Sequence, residues 1–129
     1  MLDQAANQLQ VQVDRRLVVR ALENFLQNAY KHAGERAQVR LSVTFGPHDL
    51  LTLMVDDDGP GIPAEQRAFV FRKFAQGDTR GHGAGLGLTF CALVAQSHGG
   101  QIWADTSPLG GARLCLAVPR AAGPAVPPP

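Results

Sequence analysis

The sequence lacks both an excess of charge of one sign and any long apolar run. Its 129 residues carry 12 Lys and Arg against 11 Asp and Glu, for a formal net charge of +1. A domain that binds duplex DNA is normally strongly basic on at least one face. A membrane-spanning helix needs about 18 consecutive apolar residues, and residues 1–13 lack the basic and then apolar layout of a signal peptide. We therefore expect a soluble domain without a nucleic-acid partner, direct membrane contact or a targeting segment.

Cysteine is scarce as well. Cys91 and Cys115 each lie within an apolar run, and neither has a Cys or His neighbour at the spacing of a metal site. We expect both to be small buried side chains in a reducing compartment, because unpaired cysteines are among the most buried residues.

Composition changes sharply only near the C-terminus. Residues 121–129 contain only Ala, Gly, Val and Pro, and such a segment cannot bury enough surface to order itself. We expect a lead-in over residues 1–8, one domain over 9–119 and a disordered Pro-rich tail over 120–129. The length supports a single hydrophobic core.

Apolar spacing predicts the order of strands and helices. Residues 9–13 alternate between apolar residues and Gln, which is the pattern of a half-buried strand. Asp14 is the expected N-cap of a helix whose apolar face repeats at helical spacing until Gly34 stops it. The later elements follow in this order: a hairpin over 39–45 and 51–55, a short amphipathic segment after Pro63, a mobile loop over 76–83, a helix over 88–98, and a hairpin over 101–105 and 112–118. This order predicts a two-layer α/β sandwich, in which helices cover one face of a mixed, mostly antiparallel sheet.

The segment over 57–62, Asp-Asp-Gly-Pro-Gly-Ile, directly follows an apolar strand. A carboxylate at that edge of the sheet could accept a hydrogen bond from the exocyclic amine of a purine, and the glycines would let the flat base approach the backbone. Taken alone, however, an ordinary turn is the simpler interpretation, because these residue types are frequent in turns.

A second glycine-rich segment, Gly-Ala-Gly-Leu-Gly over 83–87, opens a predicted helix. The free N–H groups and the helix dipole make such a position favourable for an anion. The spacing matches neither the dinucleotide-binding fingerprint nor a Walker A loop. A flexible hinge without a ligand is the alternative for this segment by itself.

The polar face of the first helix carries a third group, spaced by four, three and one positions: Asn24, Asn28, Lys31 and His32. An amide oxygen and an ammonium group on one face could hold a metal-bound phosphate. On its own, this group would be a solvated polar face.

Together and in this order, the three segments resemble the catalytic and ATP-binding domain of bacterial two-component sensor histidine kinases, which has the Bergerat (GHKL) fold. The resemblance covers about residues 9–119. Its motifs correspond to these ranges: the N-box to 24–32, the first glycine box to 57–62, the F-box to 71–74 and the second glycine box to 83–88.

On the base side, the resemblance implies that Asp57 binds the adenine amine. The other residues that it places around the nucleotide are Gly59, Gly61, Ile62, Phe71, Phe74, Gly83, Gly85, Leu86, Gly87 and Leu88.

On the phosphate side, the resemblance implies that Asn28 reaches Mg²⁺ through its side-chain oxygen. Asn24, Lys31 and His32 would line the phosphates, and Arg80 would meet the γ-phosphate from the segment that corresponds to the ATP lid. ATP and Mg²⁺ are thus the implied cofactors, with Asn24, Lys31 and Arg80 as the implied catalytic residues. Phosphoryl transfer relies mainly on positioning and charge neutralisation, which such groups can supply.

One position separates the kinases from the ATPases of the wider superfamily. The ATPases carry a Glu four residues before the metal-binding Asn, where this sequence has Asn24. Glu23 is one position away, rotated by about 100° around the helix. Because an amide cannot act as a base, we expect slow hydrolysis and transfer of the phosphoryl group to a protein acceptor.

The acceptor histidine is not expected within this chain. His48 begins a stretch, His-Asp-Leu-Leu-Thr, that imitates the first positions of the phosphoacceptor motif, but it enters a predicted strand and lacks the final Pro. The resemblance implies an acceptor on the helical dimerisation hairpin of a longer parent kinase, with a response regulator downstream. We expect a homodimeric parent, a cytoplasmic kinase domain and a monomer for this chain alone.

Three other interpretations stay open. An anti-sigma-type serine kinase shares the same motifs, and a clamp-type ATPase would turn over ATP steadily. Gln76 and Ala84 depart from the residues frequent in the family, which would suit a degenerate interaction module.

Overall fold

The computed structural model describes residues 13–34, 36–46, 50–72 and 84–119. The helices and strands within these ranges are, in chain order, α1 (Arg15–Ala33), β1 (Val39–Phe45), β2 (Leu50–Asp57), a short 3-10 helix (Ala64–Gln66), α2 (Ala84–Ser97), β3 (Gln101–Thr106) and β4 (Ala112–Pro119). No helix in this part of the chain is long and apolar enough to span a bilayer.

Both ends of α1 follow from local chemistry. The Asp14 carboxylate accepts hydrogen bonds from the backbone N–H groups of Arg16 and Leu17, so the predicted N-cap is confirmed. At the other end Gly34 has a φ of 98°, and its N–H donates to the carbonyl of Tyr30. The predicted stop is therefore confirmed, because glycine adopts positive φ without steric cost.

The sheet has the strand order β1-β2-β4-β3, and its three pairings are all antiparallel. Both predicted hairpins are confirmed, and so is the two-layer α/β sandwich. The predicted strand over 9–13 lies outside the described residues except for Val13, which precedes α1 and belongs to no strand. The mixed character of the sheet therefore stays a prediction.

The core lies between the two helices and one face of the sheet. Helix α1 packs on β2, and α2 packs on β3, β4 and α1. The largest fully buried apolar side chains are Phe25, Leu88, Leu114, Leu116, Val55 and Val118. Cys91 and Cys115 are free and buried, as predicted, and burial raises the pKa of each thiol to about 12.

Two element boundaries differ from the sequence prediction. Strand β2 continues through Asp56 and Asp57 instead of ending before them, because Asp56 stands opposite Arg113 of β4 and forms an ion pair with it. Helix α2 begins at Ala84, four residues before the predicted start at Leu88. The predicted mobile loop over 76–83 lies outside the described residues.

Candidate functional site

A cavity of about 550 Å³ opens between the C-terminal half of α1, the segment after β2 and the start of β4. Its walls are formed by Asn28, His32, Asp57, Gly61, Ile62, Pro63, Gln66, Phe69, Val70, Leu88 and Ala112. Residues from the predicted N-box and from both glycine boxes thus meet at one cavity.

Asp57 is the buried anion of this cavity. It is 5% exposed, and its Oδ1 accepts hydrogen bonds from the N–H groups of Gly59 (2.9 Å) and Ala112 (3.0 Å). Its backbone carbonyl accepts a third from Gly111 (3.0 Å). Within the described ranges, the hydrogen bonds to the carboxylate reach Oδ1 only.

The glycines around Asp57 allow backbone segments to approach closely. A Cβ on Gly59 would lie 2.7 Å from the Cβ of Ala33, and a Cβ on Gly111 would overlap the Asp57 carboxylate. Gly61 has a φ of 79° and lines the cavity. Gly59 is thus required for packing against the end of α1, whereas Gly61 forms part of the wall itself.

Helix α1 contributes two of its four predicted residues to the cavity wall. Asn28 and His32 line the cavity. Asn24 lies one turn earlier, and its Nδ2 donates a hydrogen bond of 3.3 Å to the carbonyl of Gly87 in α2. Lys31 is exposed and is not part of the wall.

His32 has an electrostatic environment that favours the neutral ring. Partial burial lowers its pKa below the ordinary value of 6.5, and the positive charge of Lys31 lowers it further. The negative charge of Asp57 opposes both effects but is the smallest of the three. A neutral imidazole therefore faces the cavity at neutral pH.

The described part of the second glycine box, residues 84–88, lies at the start of α2. Leu88 is 1% exposed and closes the inner wall of the cavity, while Gly87 receives the hydrogen bond from Asn24. Gly85 and Leu86 belong to the same part of α2. The predicted contacts Phe74, Arg80 and Gly83 lie outside the described residues.

The two described phenylalanines that follow the 3-10 helix divide between core and cavity. Phe71 belongs to the hydrophobic core and is not part of the cavity wall. Phe69 lines the cavity instead, although it is 48% exposed, and the guanidinium of Arg72 lies 4.7 Å from its ring centroid. The apolar residues after the 3-10 helix follow neither a helical nor a strand period, so the sequence does not predict which phenylalanine faces the cavity.

Several residues of the wall were missed by sequence reasoning: Pro63, Gln66, Phe69, Val70 and Ala112. The first four follow the first glycine box directly, and that proximity is a usable signal. Ala112 is 55 residues from Asp57, and only the register of the sheet brings its N–H to the carboxylate.

Comparison with known proteins identifies the family. The family model described as "Histidine kinase-, DNA gyrase B-, and HSP90-like ATPase" matches residues 13–122. The chain belongs to this family. Its curated relatives include the sensor-type histidine kinase PrrB of Mycobacterium leprae, 44% identical over 99 residues, or 76% of this chain and 22% of PrrB. The alginate biosynthesis sensor protein KinB of Pseudomonas aeruginosa is 37% identical over 109 residues, or 84% of this chain and 18% of KinB.

Solved structures of histidine kinases agree with this assignment. The crystal structure of the ATP-binding domain of PrrB from Mycobacterium tuberculosis superimposes with a TM-score of 0.70 at 34% identity, covering 85% of this chain and 72% of that one. The predicted resemblance to the ATP-binding domain of sensor histidine kinases is confirmed, as is the fold. The chain spans between 18% and 22% of the length of the two curated relatives.

Proposed function

We propose that this chain binds Mg·ATP in the described cavity and transfers the γ-phosphoryl group to a histidine on the helical dimerisation hairpin of a longer sensor kinase. The observation that carries the proposal is the buried Asp57, whose Oδ1 is held by two backbone N–H groups while Oδ2 is left for a ligand. The proposal is supported by the family match, described as "Histidine kinase-, DNA gyrase B-, and HSP90-like ATPase", and by the similarity to the ATP-binding domain of PrrB.

The adenine ring would occupy the part of the cavity next to Asp57. Its exocyclic amine would donate to Oδ2, since a fixed carboxylate is a strong and directional acceptor. The surrounding wall is largely apolar and includes Ile62, Phe69 and Leu88, which suits a flat aromatic base. Phe71 would support this wall from the core.

The phosphates would lie toward Asn28 and His32 on α1. The amide oxygen of Asn28 is a hard ligand of the kind that Mg²⁺ prefers. The phosphates of the nucleotide would supply further oxygen ligands and the negative charge that balances the cation. Bound Mg²⁺ would neutralise the negative charge that develops on the phosphates. Lys31 and Arg80 would add positive charge near the phosphates, and the N–H groups at the start of α2 would point at the phosphates.

Asn24 supports a kinase rather than a hydrolase. Its side-chain amide cannot accept a proton from water, and its Nδ2 is engaged with the Gly87 carbonyl. Asn24 would therefore hold α1 and the glycine box of α2 in register while the phosphoryl group is kept for a protein acceptor.

The remaining parts of the proposal concern the longer protein. The curated relatives are about five times longer than the matched region, as the coverage of 18% to 22% shows. We place the acceptor histidine and the dimer interface in a region outside this chain, and a response regulator downstream. Because the reaction consumes ATP, we place the domain in the cytoplasm.

Calorimetry with the 129-residue chain tests the nucleotide site. We expect ATP and ADP to bind, with an affinity that rises when Mg²⁺ is added. Asn28→Ala should remove most of the Mg²⁺ effect, whereas Gln27→Ala, an exposed neighbour on the same helix, should leave it unchanged. An absence of binding by the unsubstituted chain at millimolar nucleotide would contradict the proposal.

A phosphotransfer assay tests the reaction. With radiolabelled ATP and the purified helical hairpin of the parent kinase, we expect label on the hairpin that is lost in acid, as phosphohistidine is. Acid-stable label would favour the serine kinase, and rapid steady ATP turnover by the chain alone would favour the clamp-type ATPase. Nucleotide binding without either reaction would favour the degenerate module.

A further inference from the structure

Arg67 makes three polar contacts that connect two separate parts of the chain. Its Nε donates a hydrogen bond of 3.1 Å to the carbonyl of Ile62. Its Nη2 donates one of 2.9 Å to the Oγ1 of Thr106, and its Nη1 lies 3.8 Å from Oδ1 of Asp105. The side chain is 30% exposed, so water screens these contacts only in part.

One of the connected parts lines the cavity, and the other is paired in the sheet with a residue that lines it. Ile62 lies in its wall, in the segment that follows the positive-φ residue Gly61. Thr106 ends β3 and stands opposite Ala112 in the sheet. Ala112 lines the cavity and donates its N–H to the Asp57 carboxylate. Arg67 therefore joins the apolar wall to the hairpin that orients the buried anion.

The geometry of the contacts depends on the guanidinium group. Its nitrogens form a rigid planar fork, so Nε and Nη2 can donate at the same time, in fixed directions, to a carbonyl and to a hydroxyl. A lysine has one flexible ammonium group and cannot bridge both acceptors in the same way. The fork thus sets the separation between Ile62 and the end of β3.

We infer that Arg67 is a positioning residue for the nucleotide base, which holds the Ile62 wall at the distance from Asp57 that an adenine ring requires. This inference rests on the proposed function, because it concerns the same cavity. Arg67 itself is not a wall residue of that cavity, so it acts through Ile62 and through the Thr106–Ala112 pair.

Calorimetric Kd values for adenosine and for ADP test the inference. We expect Arg67→Ala to weaken both ligands by the same factor of about ten, since hydrogen bonds to a charged group are lost beside the base. Arg67→Lys should recover only a small part of this loss. Thr106→Val, which removes one acceptor, should weaken binding by about threefold.

The double variant gives the sharpest comparison. Because Thr106 acts through Arg67, the variant Arg67→Ala/Thr106→Val should bind no more weakly than Arg67→Ala alone. Arg36→Ala, an exposed arginine before β1, is the matched control and should leave both Kd values unchanged. Thermal unfolding is measured for each variant, and binding is then compared at a temperature at which every protein is folded.

The outcomes separate this inference from the proposed function. Arg67→Ala with a lower unfolding temperature but unchanged Kd values would show a purely structural role and would overturn the inference. Effects of Arg67→Ala and Thr106→Val that multiply in the double variant would also overturn it. If Arg67→Ala does not fold, an unchanged Kd in Thr106→Val decides against it. Failure of the unsubstituted chain to bind ADP would instead overturn the proposed function, and the inference with it.

Discussion

The two oxygens of Asp57 have different surroundings, although they belong to one carboxylate. Oδ1 accepts two backbone N–H groups, one from the adjacent turn at Gly59 and one from Ala112 on β4. These bonds fix the plane of the carboxylate, and under the proposed function Oδ2 is the oxygen that accepts from the ligand. Residue-scale substitutions can therefore test the ligand contact separately from the fold.

Asp57→Asn should abolish most nucleotide binding without unfolding the domain. The amide oxygen can still accept from Gly59 and Ala112, but an NH₂ group replaces Oδ2 and meets the adenine amine donor to donor. We expect ADP to bind about a hundredfold more weakly, or roughly 2.7 kcal/mol, by calorimetry. Asp58→Asn, at the exposed neighbouring residue, is the control. Binding within about threefold of the unsubstituted chain would show that Asp57 does not contact the base.

His32 should make the stability of the domain depend on pH. The pKa of His32 is lowered in the folded chain by burial and by Lys31. Near and below the ordinary value of 6.5, the unfolded chain therefore binds more protons than the folded chain. The free energy of unfolding should therefore decrease as the pH falls from about 7 to about 5. His32→Gln should reduce that decrease, and Lys31→Gln should reduce it partly. Urea unfolding at several pH values measures the effect, and identical pH profiles for all three proteins would contradict it.

At the scale of elements, α2 is joined to α1 by hydrogen bonds near both of its own ends. Asn24 of α1 donates to Gly87 in the first turn of α2. Beyond the other end of α2, the Nε2 of His98 accepts the N–H of Asp14 at 2.9 Å, and its Nδ1 lies 2.8 Å from the Val94 carbonyl. These bonds assign the ring proton to Nδ1. They make the helix layer a rigid support for the cavity.

The contact between the end of α1 and the first glycine box is equally close. We expect Gly59→Ala to cost about 2 kcal/mol of unfolding free energy, because its Cβ would lie 2.7 Å from the Cβ of Ala33. Ala33→Gly in the same chain should relieve part of that cost. Gly46→Ala is the control, since a Cβ there meets nothing within 4 Å. Urea unfolding measures the unsubstituted chain, the single variants Gly59→Ala, Ala33→Gly and Gly46→Ala, and the double variant Gly59→Ala/Ala33→Gly. Costs of Gly59→Ala and Ala33→Gly that simply add in the double variant would contradict the clash.

At the scale of the whole molecule, one row of charges crosses the four strands that the structure describes. Arg40, Asp56, Arg113 and Asp105 stand opposite one another in strand order, with alternating sign. Asp56 is fully buried and accepts from Arg113 through both oxygens, at 2.7 Å and 3.1 Å. Arg40 lies 3.6 Å from it and is half exposed. The row lies on the sheet face opposite to Asp57, because side chains alternate along β2.

Arg113→Met should destabilise the domain by about 3 kcal/mol, because it leaves a buried carboxylate without its main partner. Replacing both partners, as Asp56→Leu/Arg113→Met, should restore most of that free energy. Arg40→Met should cost less than about 1 kcal/mol, since its ion pair is exposed to water. Denaturant unfolding distinguishes these cases. Equal losses of unfolding free energy for Arg113→Met and Arg40→Met would show that the buried ion pair contributes no more to stability than the exposed one.

The parts of the structure that could be predicted depend on near neighbours in the chain. The Asp14 cap and the Gly34 stop involve groups within four residues of each other, and the alternation of apolar residues defines β1 and β2. The motifs around Asn28 and Asp57 are local as well, which is why they indicated the correct family. The start of α2 was predicted too late, because the glycines of its first turn are poor helix formers in isolation.

The sequence by itself determined the order of the described strands and helices, the sandwich and the family, because each depends on local spacing and residue type. Only the tertiary structure decided which phenylalanine faces the cavity, that Asn24 binds Gly87 63 residues away, and that Arg67 reaches Thr106 39 residues away. Such contacts depend on how α1 packs on α2 and on the register of β3 against β4. Those arrangements minimise the free energy of the whole chain, so no single segment of the sequence specifies them.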